Sequence, residues 1–338
     1  MAIEYRILTP KDLDTVDSEK KNFALDVLIG LSEMPKRLSS MYFYDDYGSQ
    51  LFQQIMELPE YYLTECEFDI LRNHKERISK LLKGRAFNLV ELGAGDGRKT
   101  SILIKHLLEN DFQFEYVPID ISEGAMKFLV QSLQEKFPGL SGNGIVAEYF
   151  NGLKWLNKIQ SRPNLVLFLG SNLGNFNKAR SRVFLRNLWN TLNDGDFLMT
   201  GFDLKKNIDL MLKAYNDEQK ITAEFNLNLL KRINRELGGN FNIDKFRHYA
   251  SYDVFTGAME SYLVSLKKQS VLIREIGQTF SFRDWEPIHT EYSYKYLIDD
   301  IEQLAEVTGY SMVEHLYDSR GYFVDSVWQV KKMATAIK

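Results

Sequence analysis

Three glycines at alternate positions, Gly93, Gly95 and Gly97, follow the apolar run Leu89-Val90-Glu91-Leu92 and precede the helical stretch KTSILIKHLLEN. Glycine tolerates positive φ and carries no Cβ, so such a loop lets a ligand come close to the backbone. The next apolar run, FEYVPID, ends in Asp120, roughly 25 residues further on, where a carboxylate can accept both hydroxyls of a ribose. The chemistry this pair implies is the binding of a nucleoside. The spacing is not G-x-x-x-x-G-K-[ST], which a triphosphate cradle requires, nor G-x-G-x-x-G, whose third glycine serves a dinucleotide. With Glu91 in front it reads E-x-G-x-G-x-G, the usual pattern for S-adenosylmethionine, which has no phosphates. Lys99, at the start of the following helix, could pair with the carboxylate of that ligand. The cofactor candidates are therefore Glu91, Gly93, Gly95, Lys99 and Asp120.

The elements that must hold these residues follow from the periodicity. FNLVEL, FEYVPID, GIVAEYF, NLVLFLG and DFLMTGFD read as strands, and KTSILIKHLLEN, GAMKFLVQSLQEKF and ARSRVFLRNLWNTLN as amphipathic helices between them. Strands separated by helices predict βαβ units and a parallel sheet covered on both faces. After GFDLKK the alternation stops. Residues 206–236 read as helical and end at Gly238 and Gly239, residues 246–285 as short strands, and 296–308 as a helix. Two strands joined by a tight turn near Gly321 close the chain. Residues 20–85 are helical in pattern, with Thr64 and Glu67 spaced as a capping box. The fold class is α/β: a doubly wound, Rossmann-like sheet of the methyltransferase type with a C-terminal antiparallel hairpin, plus a smaller α+β lobe. Residues 66–205 and 296–338 are assigned to the cofactor-binding core, and 1–65 and 206–295 to a substrate-binding lobe.

Bulk properties narrow the partners. Across 338 residues the formal net charge is -4, which gives no electrostatic footprint for nucleic acid. One cysteine, Cys66, excludes an internal disulfide and any cysteine cluster for a metal. His74, His106, His248, His289 and His315 are scattered without ligand spacing, although His289 lies close in sequence to the candidate pocket residues below. No metal is expected. No run approaches the roughly 20 apolar residues of a membrane span, and the N-terminal stretch lacks the apolar segment of a signal peptide. The chain reads as cytoplasmic and monomeric, acting on a small molecule, with neither nucleic acid nor membrane as a partner.

Several segments together resemble one family. FYDDYGSQLFQQIMELPEYYLTECEFDIL is similar to the F-Y-D-x-x-G-S-x-L-F … L-P-E-Y-Y-x-T entry segment of the L-histidine Nα-methyltransferases. FLGSNLGNF, GFDLKK, AYNDEQKITAEFNLNLLKRINRELGGNFN and EYSYKY continue the likeness in the same order, to the C-terminus. The resemblance implies S-adenosylmethionine-dependent trimethylation of the histidine α-amino group to hercynine, the first step towards ergothioneine. It implies cofactor contacts at Gly93, Lys99 and Asp120, with Glu148 and Tyr149 near the adenine, where the family usually has Asp-Phe. Substrate contacts would be Tyr44, Tyr61, Asn175, Tyr215, Glu291 and Ser293.

The residue types suit those roles. A sulfonium methyl is already activated, so transfer needs mainly positioning and a free nitrogen lone pair. Asn175 and Tyr215, the catalytic candidates, can hold the nitrogen by hydrogen bonds without competing as nucleophiles. Tyrosine faces can attract the growing ammonium, by about 0.5–2 kcal/mol. Tyr44 and Tyr61 could grip the carboxylate. Glu291 and Ser293, at i and i+2 of an extended segment, point to one side and can address the imidazole. One position departs from the pattern: near AMESYLV the family commonly has I-E-M-x-L, and Ser261 stands where its methionine packs against the substrate ring. That residue could open the pocket to a modified histidine or another small amine, and methylation of the imidazole itself is a related alternative. In other classes stand a nicotinamide-dependent oxidoreductase, which the glycine spacing disfavours, and a catalytically silent S-adenosylmethionine-binding protein.

Overall fold

A computed structural model describes residues 3–9 and 19–332. Eight strands make up the larger sheet: β1 (Glu4–Ile7), β3 (Phe87–Leu92), β4 (Phe114–Asp120), β5 (Asn143–Val146), β6 (Asn164–Phe168), β7 (Phe197–Asp203), β13 (Tyr310–Tyr317) and β14 (Phe323–Val330). Their order is β1-β5-β4-β3-β6-β7-β14-β13, parallel as far as β7 and antiparallel through the last two. β3 and β6 are buried at every residue, as expected for strands covered on both faces. Strand order turns back at β3, which has β4 on one side and β6 on the other. In open α/β sheets such a switch point opens a crevice at the carboxyl ends of the strands.

The helices of this part are α3 (Tyr62–Lys80), α4 (Thr100–Glu109), α5 (Glu123–Lys136), α6 (Tyr149–Ile159), α7 (Lys178–Thr191) and α10 (Ile298–Thr308), and α4 to α7 connect successive parallel strands. α1 (Glu19–Ser32), α2 (Asp46–Met56), α8 (Ile208–Tyr215) and α9 (Ile221–Leu237) belong with a four-stranded sheet. That sheet runs β2-β12-β9-β8, from β2 (Lys36–Arg37), β12 (Pro287–Tyr294), β9 (Ala258–Ser265) and β8 (Phe246–Asp253). β10 (Gln269–Ile273) and β11 (Gln278–Phe282) pair as a separate hairpin. No described helix is long and apolar enough to cross a membrane.

Residues 3–9, 63–205 and 295–332 form one compact unit, and 19–62 with 206–294 the other. The smaller unit has its own core, in which Phe43 and Phe225 meet at 4.7 Å among Val27, Leu51, Leu229 and Leu263. Asp45 organises its helices. One oxygen caps α2 through the Gly48 N–H (2.7 Å), and the carboxylate also accepts from Asn228 (2.8 Å) and Arg235 (2.5 Å) of α9.

Three expectations change. β1 pairs with β5 in the larger sheet, so residues 3–9 do not belong with the lobe to which 1–65 was assigned. Residues 1–2 and 10–18 of that assignment, and 333–338 of the core's, lie outside the described residues. The strand expected over GIVAEYF stops at Val146, because Glu148 accepts from the N–H groups of Phe150 and Asn151 and starts α6. Finally, α3 begins at Tyr62, ahead of Thr64, so Thr64 is not its N-cap and Glu67 is not a capping residue.

Candidate active site

The loop after β3 is fixed from below. Glu91 is 4 % exposed, with one oxygen accepting from the Thr100 hydroxyl (2.6 Å) and the other from the Tyr116 hydroxyl. Both oxygens are thus engaged by the protein, and Glu91 ties β3 to α4 and β4. Above it, Gly93, Gly95 and Gly97 all adopt positive φ (73°, 54° and 66°). A Cβ on Gly93 would lie 2.8 Å from the Tyr149 hydroxyl and 3.8 Å from Asn172 Nδ2. No side chain larger than hydrogen fits there without displacing the ring.

Asp120 ends β4 and bends back to the loop, accepting from the N–H groups of Gly95 (3.3 Å) and Ser122 (2.9 Å). Burial pushes its carboxyl above the ordinary range, while the backbone donors pull it down. Tyr149, half-buried, packs edge-on against Phe168 (5.9 Å). The Glu148 side chain is exposed and caps α6.

Lys99 does not point into open space. Its ammonium meets Glu67 Oε2 at 2.5 Å and would lie 3.5 Å from a Cβ on Gly170, in the loop after β6. Asn172 Nδ2 is close to both glycines, 3.8 Å from that position on Gly93 and 3.6 Å on Gly170, so the loops after β3 and β6 converge. Asn175 is half-buried at the end of the 3-10 turn Asn172–Asn175 that follows. Glu67 lies with Leu63, Cys66, Ile70 and Leu71 on the buried stripe of α3, an unusual place for an acid and a signal that the sequence already carries.

In the smaller unit the other candidates gather on two features. Tyr44 and Tyr61 both pack edge-on against Phe52, at 5.5 and 6.2 Å. Ser261 of β9 stands directly opposite Glu291 of β12, and cross-strand partners share a face. Ser293, two residues on, faces the same way, and its hydroxyl is 2.6 Å from the buried Tyr215 hydroxyl of α8. Ser261 is 1 % exposed and its hydroxyl has no hydrogen-bond partner. A register shift between His289 and Glu291 marks a bulge at Thr290, whose hydroxyl bonds Asn226 (2.8 Å) and the Ser261 carbonyl (3.0 Å). The bulge sends His289 to the opposite face, against Tyr262 (5.3 Å) and Tyr292 (4.0 Å). Burial lowers its imidazole to about 4, so it is neutral there. Nearness in sequence to the pocket residues therefore does not make it one of them.

A family described as histidine-specific, S-adenosylmethionine-dependent methyltransferases matches residues 23–330. The chain belongs to that family. It is 34% identical over 291 residues to a histidine N-alpha-methyltransferase of Mycolicibacterium smegmatis, covering 86% of this chain and 89% of the relative. The enzyme of that name from Mycobacterium tuberculosis is 33% identical over 298 residues, with 88% and 92% covered. Ergothioneine biosynthesis protein 1 of Schizosaccharomyces pombe is 29% identical over 86% of this chain, which spans 39% of that longer protein. This family member is thus an S-adenosylmethionine-dependent N-methyltransferase of mixed α/β fold. The residues present fit the cofactor: a loop whose glycine cannot carry a Cβ, an acid at the next strand end, and a ring over the loop.

Glu91 makes a pH-dependent contribution. Burial pushes its carboxyl up to about 7, against the hydroxyls of Thr100 and Tyr116, which pull it down. Folding therefore favours the protonated acid. The stability this carries is complete below the ordinary carboxylate range and is lost as pH rises through about 7. Glu91→Gln has no such proton to lose. The melting temperature of the native protein should fall relative to Glu91→Gln between about pH 5 and pH 8. A constant difference across that range contradicts the assignment.

Proposed function

We propose that this enzyme methylates the α-amino nitrogen of free L-histidine, through to the trimethylated product. The observation that carries the reading is the face shared by Glu291, Ser261, Ser293 and Tyr215 in the smaller unit. A carboxylate flanked by hydroxyls is what a side chain with one N–H donor and one nitrogen acceptor requires, and an imidazole is such a side chain. The Ser261 hydroxyl, buried without a partner, supports a polar rather than an aliphatic contact at the ring.

In the larger unit, Gly93 and Gly95 would pass beneath the amino-acid end of the cofactor, Asp120 would take the ribose hydroxyls, and Lys99 the carboxylate. Tyr149 would face the adenine. The cofactor supplies an activated methyl group. What the chain supplies is placement and an unprotonated nitrogen. An α-amino group has a pKa of roughly 8, so the free base is a minor but accessible form at neutral pH. Asn175 and the Tyr215 hydroxyl are assigned to the reacting nitrogen, each as a neutral hydrogen-bonding group. Tyr44 and Tyr61, braced by Phe52, are assigned to the substrate carboxylate. The composition and the single, buried cysteine support a cytoplasmic setting.

Incubation with S-adenosylmethionine and the amino acids, read by mass spectrometry, should give histidine with three added methyls, all located on the α-nitrogen by fragmentation. Methylation of the ring, or of another amino acid in preference, contradicts the proposal. Glu291→Gln should raise the KM for histidine by about tenfold or more, since a charge-assisted bond to the ring is lost. Its affinity for S-adenosylhomocysteine should be unchanged. An unaltered KM removes Glu291 from the substrate site.

A further inference from the structure

Beneath Lys99 lies a group of buried charges that the proposed function leaves unused. Glu67, on α3, is 1 % exposed. It divides its oxygens, one to the Lys99 ammonium at 2.5 Å and the other to the Gly170 N–H at 2.6 Å. The second oxygen occupies space that exists only because residue 201 is glycine, since a Cβ there would lie 2.6 Å from Glu67 Oε1. Directly across from Gly201 on β14 is Asp325, fully buried, with no hydrogen-bond partner for either oxygen. Cross-strand partners share a face, so Asp325 points to the side that Glu67 covers. Burial and the Glu67 charge push the Asp325 carboxyl well up, with Lys99 opposing.

We propose that Glu67 is a positioning residue of the cofactor site, holding Lys99 and the Gly170 amide in register for the amino-acid end of S-adenosylmethionine. This rests on the reading that Lys99 meets the cofactor carboxylate. An ammonium has three donors, and Glu67 uses one of them from the buried side. The remaining donors are aimed by that bond rather than left to a flexible four-carbon stem. The same carboxylate fixes Gly170, so a single side chain sets the lysine and the neighbouring loop together. Glu67 reaches no reacting atom. Its effect passes through Lys99 and Gly170.

The test compares two ligands by calorimetry: S-adenosylhomocysteine, and 5′-methylthioadenosine, which lacks the amino-acid end. Glu67→Gln should bind S-adenosylhomocysteine about tenfold more weakly or worse, and 5′-methylthioadenosine within about twofold of the native protein. Glu67→Asp, which keeps the charge but draws it back by one methylene, should show the same selectivity with a smaller loss. Equal weakening of both ligands overturns the proposal, because it marks a general disturbance of the fold. Unchanged or tighter binding of S-adenosylhomocysteine overturns it also. Lys99→Met separates the two levels. If it leaves S-adenosylhomocysteine affinity intact, the reading of Lys99 fails and the proposal with it. If Lys99→Met weakens binding while both Glu67 variants do not, the lysine reading stands and the positioning role is wrong.

Discussion

A carboxylate shut beneath the loop after β3 keeps that loop on its course. Glu91 accepts from the hydroxyls of Thr100 and Tyr116, so strand, helix and neighbouring strand are tied at one buried point. Breaking either bond would leave a buried oxygen unpaired, at a cost of about 1–3 kcal/mol or more. The positive-φ glycines above therefore start from a fixed anchor. Asp120 is then placed by its bond to Gly95, Tyr149 by its seat over Gly93, and Lys99 by standing one residue before Thr100. Two acids at adjacent strand ends divide the work. Glu91 is enclosed and bonded to protein groups, whereas Asp120 is half-buried at the carboxyl edge of the sheet.

The smaller unit depends on a different device. Without the bulge at Thr290, strict alternation along β12 would put His289 and Glu291 on one face. The extra residue separates them, leaving Glu291 opposite Ser261 and sending His289 among tyrosines. Thr290 itself is anchored to Asn226 and to the Ser261 carbonyl, so the bulge is locked from both α9 and β9. Bulges often re-aim a side chain beside a site. Past the bulge, Ser293 meets Tyr215 on the same face as Glu291.

The sequence was most legible where one rule acted alone. β3 and β4 run over the residues expected, because each is an apolar run cut short by a glycine or an acid at the sheet edge. In the smaller sheet β9 likewise follows its alternation. The pattern misleads where a side chain serves a partner that the local periodicity does not show. Glu148 looked like the end of a strand, but its carboxylate caps the helix that follows. Glu67 had the spacing of a capping residue, yet its partners are 32 and 103 positions away. β1 is short, half-exposed and pairs with β5 across more than a hundred residues, which no local pattern reveals. Glu91 stands in the motif, and its two oxygens meet the hydroxyls of Thr100 and Tyr116. A motif records that an acid is needed there, not whether it faces the ligand or the protein.

The two acids therefore differ in what they meet, Glu91 the protein and Asp120 the open edge of the sheet. Titration of S-adenosylhomocysteine into Asp120→Asn and Glu91→Gln, side by side, tests it most directly. Asp120→Asn should lose at least about tenfold in affinity, because paired ribose hydroxyls lose a charged acceptor. Glu91→Gln should keep affinity within about twofold of the native protein below pH 7, where the native carboxyl, pushed up to about 7, is itself largely protonated. The reverse order, with Glu91→Gln impaired and Asp120→Asn intact, would contradict it.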